Sequence, residues 1–184
     1  MRIARTDLSF VLAAGVLVSM WLLAAPVARG QNTENPEVTR LLAEARDHAA
    51  QLSRDADEME ALTRSDVSWQ SHAAELENIK DHVNQLGRIA QQLQDSRSSS
   101  SVWQQQAIDR MIPLLKELAS NTTAAINHLN ENRERPTMGN YPEYLRENSE
   151  TAHQLADMIS SFVKYGETRA KLEKLEQRLE VASK

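Results

Sequence analysis

Apolar side chains recur at alternating spacings of three and four residues through most of this chain, and this pattern restricts the fold more than any other feature. In the first such stretch the positions include Val38, Leu41 and Ala45. This spacing places the side chains on one face of an α-helix. No stretch alternates β-branched with polar residues at a period of two, the pattern typical of a half-buried strand. The sequence therefore predicts an all-α fold.

Turn signals divide the helical pattern into four parts. Asn35, Pro36 and Glu37 suit a helix start, because they can cap it, pre-set its first turn and complement its dipole. We expect helices at about 36–63, 66–95, 102–131 and 143–182, with short connections between them. Short connections make successive helices antiparallel. Residues 31–184 are therefore predicted to form an up-down-up-down antiparallel four-helix bundle with an extended C-terminal helix.

Two features leave the shape of this bundle open. Nothing between Pro36 and Gly87 strictly breaks a helix, so the first two helices could form one rod. The apolar positions slip by one residue between Leu62 and His72, which favours a turn. Pro113 removes a backbone hydrogen bond inside the third helix, so we expect a bend or a break there. That bend would either be tolerated or open the flank of the bundle to a ligand.

The amino terminus has the order of a targeting segment. Arg2 and Arg5 precede an uncharged stretch over residues 8–28, and small residues then flank Arg29 just before Gln31. This order predicts a signal peptide over residues 1–30, cleaved before Gln31. The stretch is also long enough to span a bilayer, so a retained anchor is the alternative. Both interpretations place residues 31–184 outside the cytoplasm, in the periplasm or secreted.

Composition excludes several kinds of function. The chain contains no cysteine, which rules out disulfides, thiol catalysis and thiolate metal sites. Its net charge is −5 and only 4% of its residues are aromatic, which argues against nucleic acid as a partner. No nucleophile elbow, glycine-rich phosphate loop or zinc motif is present, so we expect no enzyme.

Antiparallel packing brings three possible metal ligands to one end of the bundle, namely Met59, His72 and His128. Histidine and methionine inside a helical bundle can hold a b-type haem, and histidines on facing helices can bind a transition metal. The simpler interpretation needs no cofactor. In it His72 lies at the edge of the core, Met59 fills space and His128 points to solvent.

A second polar group is predicted nearer the middle of the bundle, formed by Asp55, Thr122 and His153. A buried carboxylate beside a histidine would suit acid–base chemistry. Buried polar layers more often fix the register of helices, and we expect that role here. His48 and His82 also share a level, and we expect them to be solvated rather than to chelate a metal.

The end of the fourth helix carries a narrow apolar stripe between charged residues, formed by Leu172, Leu175 and Leu179. This heptad-like pattern predicts pairing with another protein or with a second copy of the chain. The alternative is a solvated helix end that caps the bundle.

The leading functional hypothesis is an exported, non-enzymatic bundle that works through protein–protein contact, as an adaptor, a structural protein or a subunit of a cell-envelope assembly. The alternatives are a bundle that binds haem or a metal, and a bundle that senses a ligand outside the cytoplasm. We expect contact with a membrane only if the amino-terminal segment is retained.

Overall fold

A computed structural model describes residues 34–182 of the protein. Over these residues the chain forms four long helices with no strand: α1 (Pro36–Leu62), α2 (Trp69–Asp95), α3 (Val102–Glu131) and α4 (Tyr141–Ala182). A short 3-10 turn, Arg97–Ser99, connects α2 to α3. The predicted signal peptide or anchor over residues 1–30 lies outside the described residues. Within residues 34–182 no helix has the length and apolar character needed to cross a membrane.

The four helices pack in a ring around one core. Helix α1 packs against α2 and α4, and α3 packs against the same two helices. Each helix contributes fully buried leucines, among them Leu52, Leu86, Leu118 and Leu155. Burying one leucine stabilises the fold by about 1.5–3 kcal/mol. The predicted four-helix bundle with a long last helix is confirmed.

The structure shows that α1 and α2 form a hairpin, and two helices begin at residues other than those predicted. Helix α1 ends at Leu62, so the alternative of one continuous rod is wrong. Helix α2 begins at Trp69, later than predicted, because the Ser68 hydroxyl caps it by accepting a hydrogen bond from the backbone N–H of Ser71 at 3.3 Å. Helix α4 begins at Tyr141, two residues earlier than predicted, while α3 has the predicted bounds.

Pro113 does not break α3, which runs through it without interruption, so the predicted break is wrong. The reason is the face on which the proline lies. Pro113 is exposed, and Asp109, whose carbonyl loses its usual partner, is exposed as well. The freed carbonyl therefore faces water rather than the core. Met111 and Leu115 stay packed in the core on either side of the proline.

One buried glutamine joins the start of α1 to the start of α3. The Gln104 Oε1 atom accepts hydrogen bonds from the backbone N–H groups of Asn35 and Ser101, both at 3.0 Å. Its Nε2 atom donates to the Asn35 carbonyl at 2.8 Å and to the Thr39 hydroxyl at 3.0 Å. Gln104 is fully buried. These bonds fix the end of the bundle from which α4 emerges.

Candidate functional site

The last part of α4, residues 167–182, is called the C-terminal segment below. Every residue of this segment is exposed. Its leucines are the largest exposed apolar residues there: Leu172 is 56%, Leu175 is 55% and Leu179 is 71% exposed. At 1.5 Å per residue the segment is about 24 Å long. A helix of this length presents an apolar stripe outside the bundle.

The C-terminal segment begins just after a close contact between α4 and α3. At Gly166, the last buried residue of α4, a Cβ atom would lie only 2.8 Å from the Trp103 ring. The Trp103 indole N–H donates to the Glu34 carboxylate at 2.9 Å, and the ring contacts Tyr165 edge-on with centroids 5.8 Å apart. Gly166 is therefore needed because Trp103 occupies the space of a side chain. This contact closes the end of the core.

The leucine stripe lies on the opposite side of α4 from the core. A helix turns by about 100° per residue, so Leu172, Leu175 and Leu179 lie about 120–180° around the axis from Gly166. The buried face of α4 includes Val163 and ends at Gly166. The leucines therefore do not continue the face that packs in the bundle, and they are directed away from it.

Two residues of the predicted haem or metal site, His72 and His128, contact the ring of Tyr141, which was not part of that prediction. The Tyr141 hydroxyl lies 3.3 Å from His72 Nδ1, and the two rings meet edge-on. The His128 ring stacks on Tyr141 with centroids 5.3 Å apart, so His128 does not point to solvent. Met59, His72 and Tyr141 are fully buried. Tyr141 thus contacts both histidines.

Burial sets the protonation of this cluster. Burial lowers the pKa of His72, which favours the neutral imidazole, and raises the pKa of Tyr141, which keeps the phenol protonated. The Nε2 atoms of His72 and His128 are buried without a hydrogen-bond partner. In the part of the chain that the structure describes, no three His, Cys, Asp or Glu residues are arranged to hold a metal. A haem or metal at Met59, His72 and His128 stays a prediction.

The predicted polar core layer of Asp55, Thr122 and His153 is wrong, because its members do not meet. His153 instead lies 2.9 Å from Asp57, in an exposed pair. Asp55 lies 3.3 Å from His82. Residues two apart on a helix point about 200° apart, so Asp57 faces α4 while Asp55 faces α2. The prediction placed Asp55 opposite His153, but the carboxylate that lies there belongs to Asp57, two residues further along α1.

Thr122 belongs to a different polar contact, between α3 and α4. Asn148 donates to the Thr122 hydroxyl at 3.3 Å, and both residues are buried. The Thr151 hydroxyl donates to Glu117 at 3.2 Å in the same interface. Misaligning α3 and α4 would leave the buried side chains of Thr122, Asn148 and Thr151 unpaired. Thr122 and Asn148 are therefore placed to fix helix register, without an acid–base pair.

A cleft between α1 and α2 contains the best-formed group of titratable side chains. The Nδ1 atoms of His48 and His82 lie 3.3 Å apart, and His82 Nε2 lies 3.3 Å from the Asp55 carboxylate. The cleft has a volume of about 610 Å³. Both histidines are partly buried and line this open cleft, so the expectation that they are solvated rather than chelating a metal stays a prediction. The three groups form a chain from one imidazole to the other and on to a carboxylate.

An open groove of about 840 Å³ also runs between α2 and α3, past Gly87 and Ile112. No atom outside the adjoining backbone of α2 lies within 4 Å of the position of a Cβ at Gly87, so the missing side chain widens this groove. Pro113, near which the sequence allowed for an opening, is not among the residues that line this groove. Its lining is mixed, with Leu115 beside Lys116.

Sequence reasoning missed three residues with defined roles: Gln104, Tyr141 and Asp57. Gln104 was recognisable, because Ser101 followed three residues later by glutamine is the signature of a capping box. Tyr141 was assigned to a loop, since a proline follows it. Asp57 had no signal of its own, because nothing in its spacing separates it from Asp55.

The candidate sites are thus the C-terminal segment, the cluster around Tyr141 and the cleft between α1 and α2. All three are formed by residues of a single chain. No protein-family model, curated protein or solved structure matches the chain.

Proposed function

We propose that this protein is exported and works without catalysis, through protein–protein contact made by its C-terminal segment, and that the partner is a second copy of the chain. The observation that carries the proposal is the stripe of Leu172, Leu175 and Leu179, at least 55% exposed and directed away from the bundle. Fully burying one leucine side chain in an interface would stabilise the complex by about 1.5–3 kcal/mol. A contiguous apolar stripe on a soluble surface is typical of an interaction site.

The spacing of the stripe suits a two-stranded coiled coil. Leu172, Leu175, Leu179 and Ala182 follow one another at intervals of three, four and three residues, the positions a and d of a heptad. Because the stripe faces away from the core, two copies can align their segments with the two bundles on opposite sides. The bundles then do not collide.

The charges beside the stripe favour a parallel arrangement. Lys171 and Glu176 occupy the heptad positions g and e that flank the seam. In a parallel pair Lys171 of each copy faces Glu176 of the other, which gives two attractive contacts. In an antiparallel pair the g positions face each other, and both Lys171 and Arg178 are basic. Like charges there would repel.

The expected association is reversible. The segment spans little more than two heptads, and helices this short are marginal without a partner. The interface is smaller than those of permanent dimers, which bury 2,000 Å² or more as a rough guide. We therefore expect a dissociation constant in the range of about 1–100 µM.

Sedimentation equilibrium of the full chain over a range of concentrations tests the proposal. We expect the wild-type protein to form dimers and the double variant Leu172→Glu/Leu175→Glu to stay monomeric. The matched control is Val102→Glu, which places the same charge on an apolar residue that is 63% exposed but lies outside the segment. Dimers of equal strength in all three proteins would contradict the proposal.

A charge exchange tests the parallel arrangement separately. Lys171→Glu should weaken the dimer, because it places two acidic residues opposite each other. The double variant Lys171→Glu/Glu176→Lys restores opposite charges in a parallel pair and should restore the dimer. If the single variant weakens the dimer and the double variant does not restore it, the proposed self-association stands but the parallel orientation is wrong.

A further inference from the structure

We propose that His48 and His82 form a binding site for a divalent transition-metal cation that prefers imidazole ligands, with Zn²⁺ as the test ion. The site joins α1 to α2 in the middle of the bundle, far along the chain from the C-terminal segment. It rests on the cleft geometry alone and does not depend on the proposed dimer.

The separation of the two imidazoles fits a tetrahedral metal. Zinc binds histidine nitrogen at about 2.0–2.1 Å, so two ligand nitrogens on one tetrahedral ion stand about 3.3–3.4 Å apart. The Nδ1 atoms of His48 and His82 are 3.3 Å apart. Rotation of the two rings about χ2, a torsion with broad preferences in histidine, would direct both lone pairs at a shared ion.

Asp55 prepares His82 for this role. The Asp55 carboxylate lies 3.3 Å from His82 Nε2, where its negative charge favours the tautomer with the proton on that nitrogen. With the proton on Nε2, the Nδ1 atom carries the free lone pair that a metal needs. A carboxylate behind a ligating histidine is the usual arrangement in protein metal sites. The Asp55 side chain is only 13% exposed, so its position is well defined.

The other ligands would be water. Asp81, Gln51 and Asn78 line the same cleft. Nevertheless, no three His, Cys, Asp or Glu residues within residues 34–182 are arranged as a metal site. Two imidazoles select transition metals over Mg²⁺ and Ca²⁺, which prefer oxygen ligands. The carboxylates of Asp55 and Asp81 make the cleft attractive to a cation.

The hydrogen bond between the two imidazoles has to open before a metal can bind. As they stand, one Nδ1–H donates to the other Nδ1 across the 3.3 Å gap. A metal bound at both Nδ1 atoms requires that this proton move to the Nε2 atom of the same ring, because a neutral imidazole carries one N–H and one lone pair. The experiment therefore has to distinguish a metal site from a simple hydrogen bond between the two rings that binds no metal.

Titration of the untagged full chain with ZnCl₂ at pH 7, followed by calorimetry and by thermal unfolding, tests the site. We expect one Zn²⁺ per chain with a micromolar dissociation constant and a higher Tm, whereas MgCl₂ has no effect. His48→Gln and His82→Gln should each weaken Zn²⁺ binding at least tenfold. The matched control is His153→Gln, which removes a histidine that pairs with Asp57 on another face and should keep the binding.

Two further measurements keep the test independent of variant folding. In the wild-type protein, ¹⁵N chemical shifts of the imidazoles should move for His48 and His82 on adding Zn²⁺, and stay unchanged for His153. Asp55→Asn should weaken Zn²⁺ binding about 10–100-fold, the usual effect of losing a supporting carboxylate. Asp57→Asn should not. Absence of Zn²⁺ binding, or shifts centred on His72 and His128, would overturn the proposal.

Discussion

Helix α4 contains two regions with the same apolar spacing and opposite surroundings. Up to Gly166 its apolar residues, such as Leu145 and Leu155, are buried against the other helices. Beyond Gly166 its leucines are at least 55% exposed. The spacing alone cannot distinguish the two, because it defines a stripe but not the surface that covers it. The side of the helix on which the stripe lies makes the distinction.

The largest expected difference between the two regions is in stability. Leu155→Ala should lower the free energy of unfolding by about 2–5 kcal/mol, because it leaves a cavity in the core. Leu175→Ala in the C-terminal segment should change it by less than about 0.5 kcal/mol at concentrations where the protein is monomeric. Urea unfolding of dilute protein measures both. Equal losses would mean that the segment is part of the folded core.

A smaller effect is expected at the end of the bundle where the two regions join. Gln104→Ala removes the side chain that satisfies backbone groups of Asn35 and Ser101, and should cost about 1–3 kcal/mol. Gln106→Ala, two residues further along α3 on the exposed face, should stay within about 0.5 kcal/mol. The same urea titration compares them. A negligible loss for Gln104→Ala would show that this junction does not depend on the glutamine.

The pH dependence of stability should arise in the bundle, at His72, and not in the C-terminal segment. Burial lowers the pKa of His72 from its ordinary value of 6.5, so below about pH 6.5 the unfolded chain binds a proton that the folded chain does not. Stability is therefore full above pH 6.5 and falls below it, by at most about 1.4 kcal/mol per pH unit for this residue.

His72→Gln removes that contribution and should flatten the decline between pH 7 and pH 5, relative to the wild-type protein. Unfolding titrations at matched pH values give the difference. An unchanged slope would exclude a neutral, buried His72. The C-terminal segment contains no histidine, so its association should be less sensitive over this range.

The smallest effect is expected for the exposed pair of Asp57 and His153. The two side chains are about half exposed, so solvent screens their attraction. Asp57→Asn should change stability by no more than about 0.5 kcal/mol at neutral pH. A loss above about 1 kcal/mol in urea unfolding would show that this pair is a buried determinant of helix register.

The sequence predicted the helices well where local signals fix them. The bounds of α3 were predicted correctly, because the serine-rich stretch that ends at Ser101 separates it from α2. The start of α2 was placed three residues early, because Ser65 and Asp66 cap a helix as well in principle as Ser68 does. The turn after Leu62 determines which of these residues caps α2, and tertiary packing rather than local sequence selects that turn.

The contacts between helices were less predictable, because they depend on rotation as well as level. His48 and His82 were correctly assigned to one level, and their Nδ1 atoms lie 3.3 Å apart. Asp55 was paired with His153 although Asp57, two residues away, faces α4. A shift of two residues moves a side chain to the other side of a helix. Periodicity over a whole helix tolerates such an error, while a single polar contact does not.

Hydrogen–deuterium exchange of the full chain at two concentrations, about tenfold below and tenfold above the dissociation constant of the dimer, tests the central distinction most directly. We predict that amides within residues 36–166 are protected equally at both concentrations, because the bundle buries its own core. Amides of residues 167–182 should exchange rapidly in dilute protein and slowly in concentrated protein. Rapid exchange of the segment at both concentrations, or protection equal to that of the bundle at both, would contradict this account.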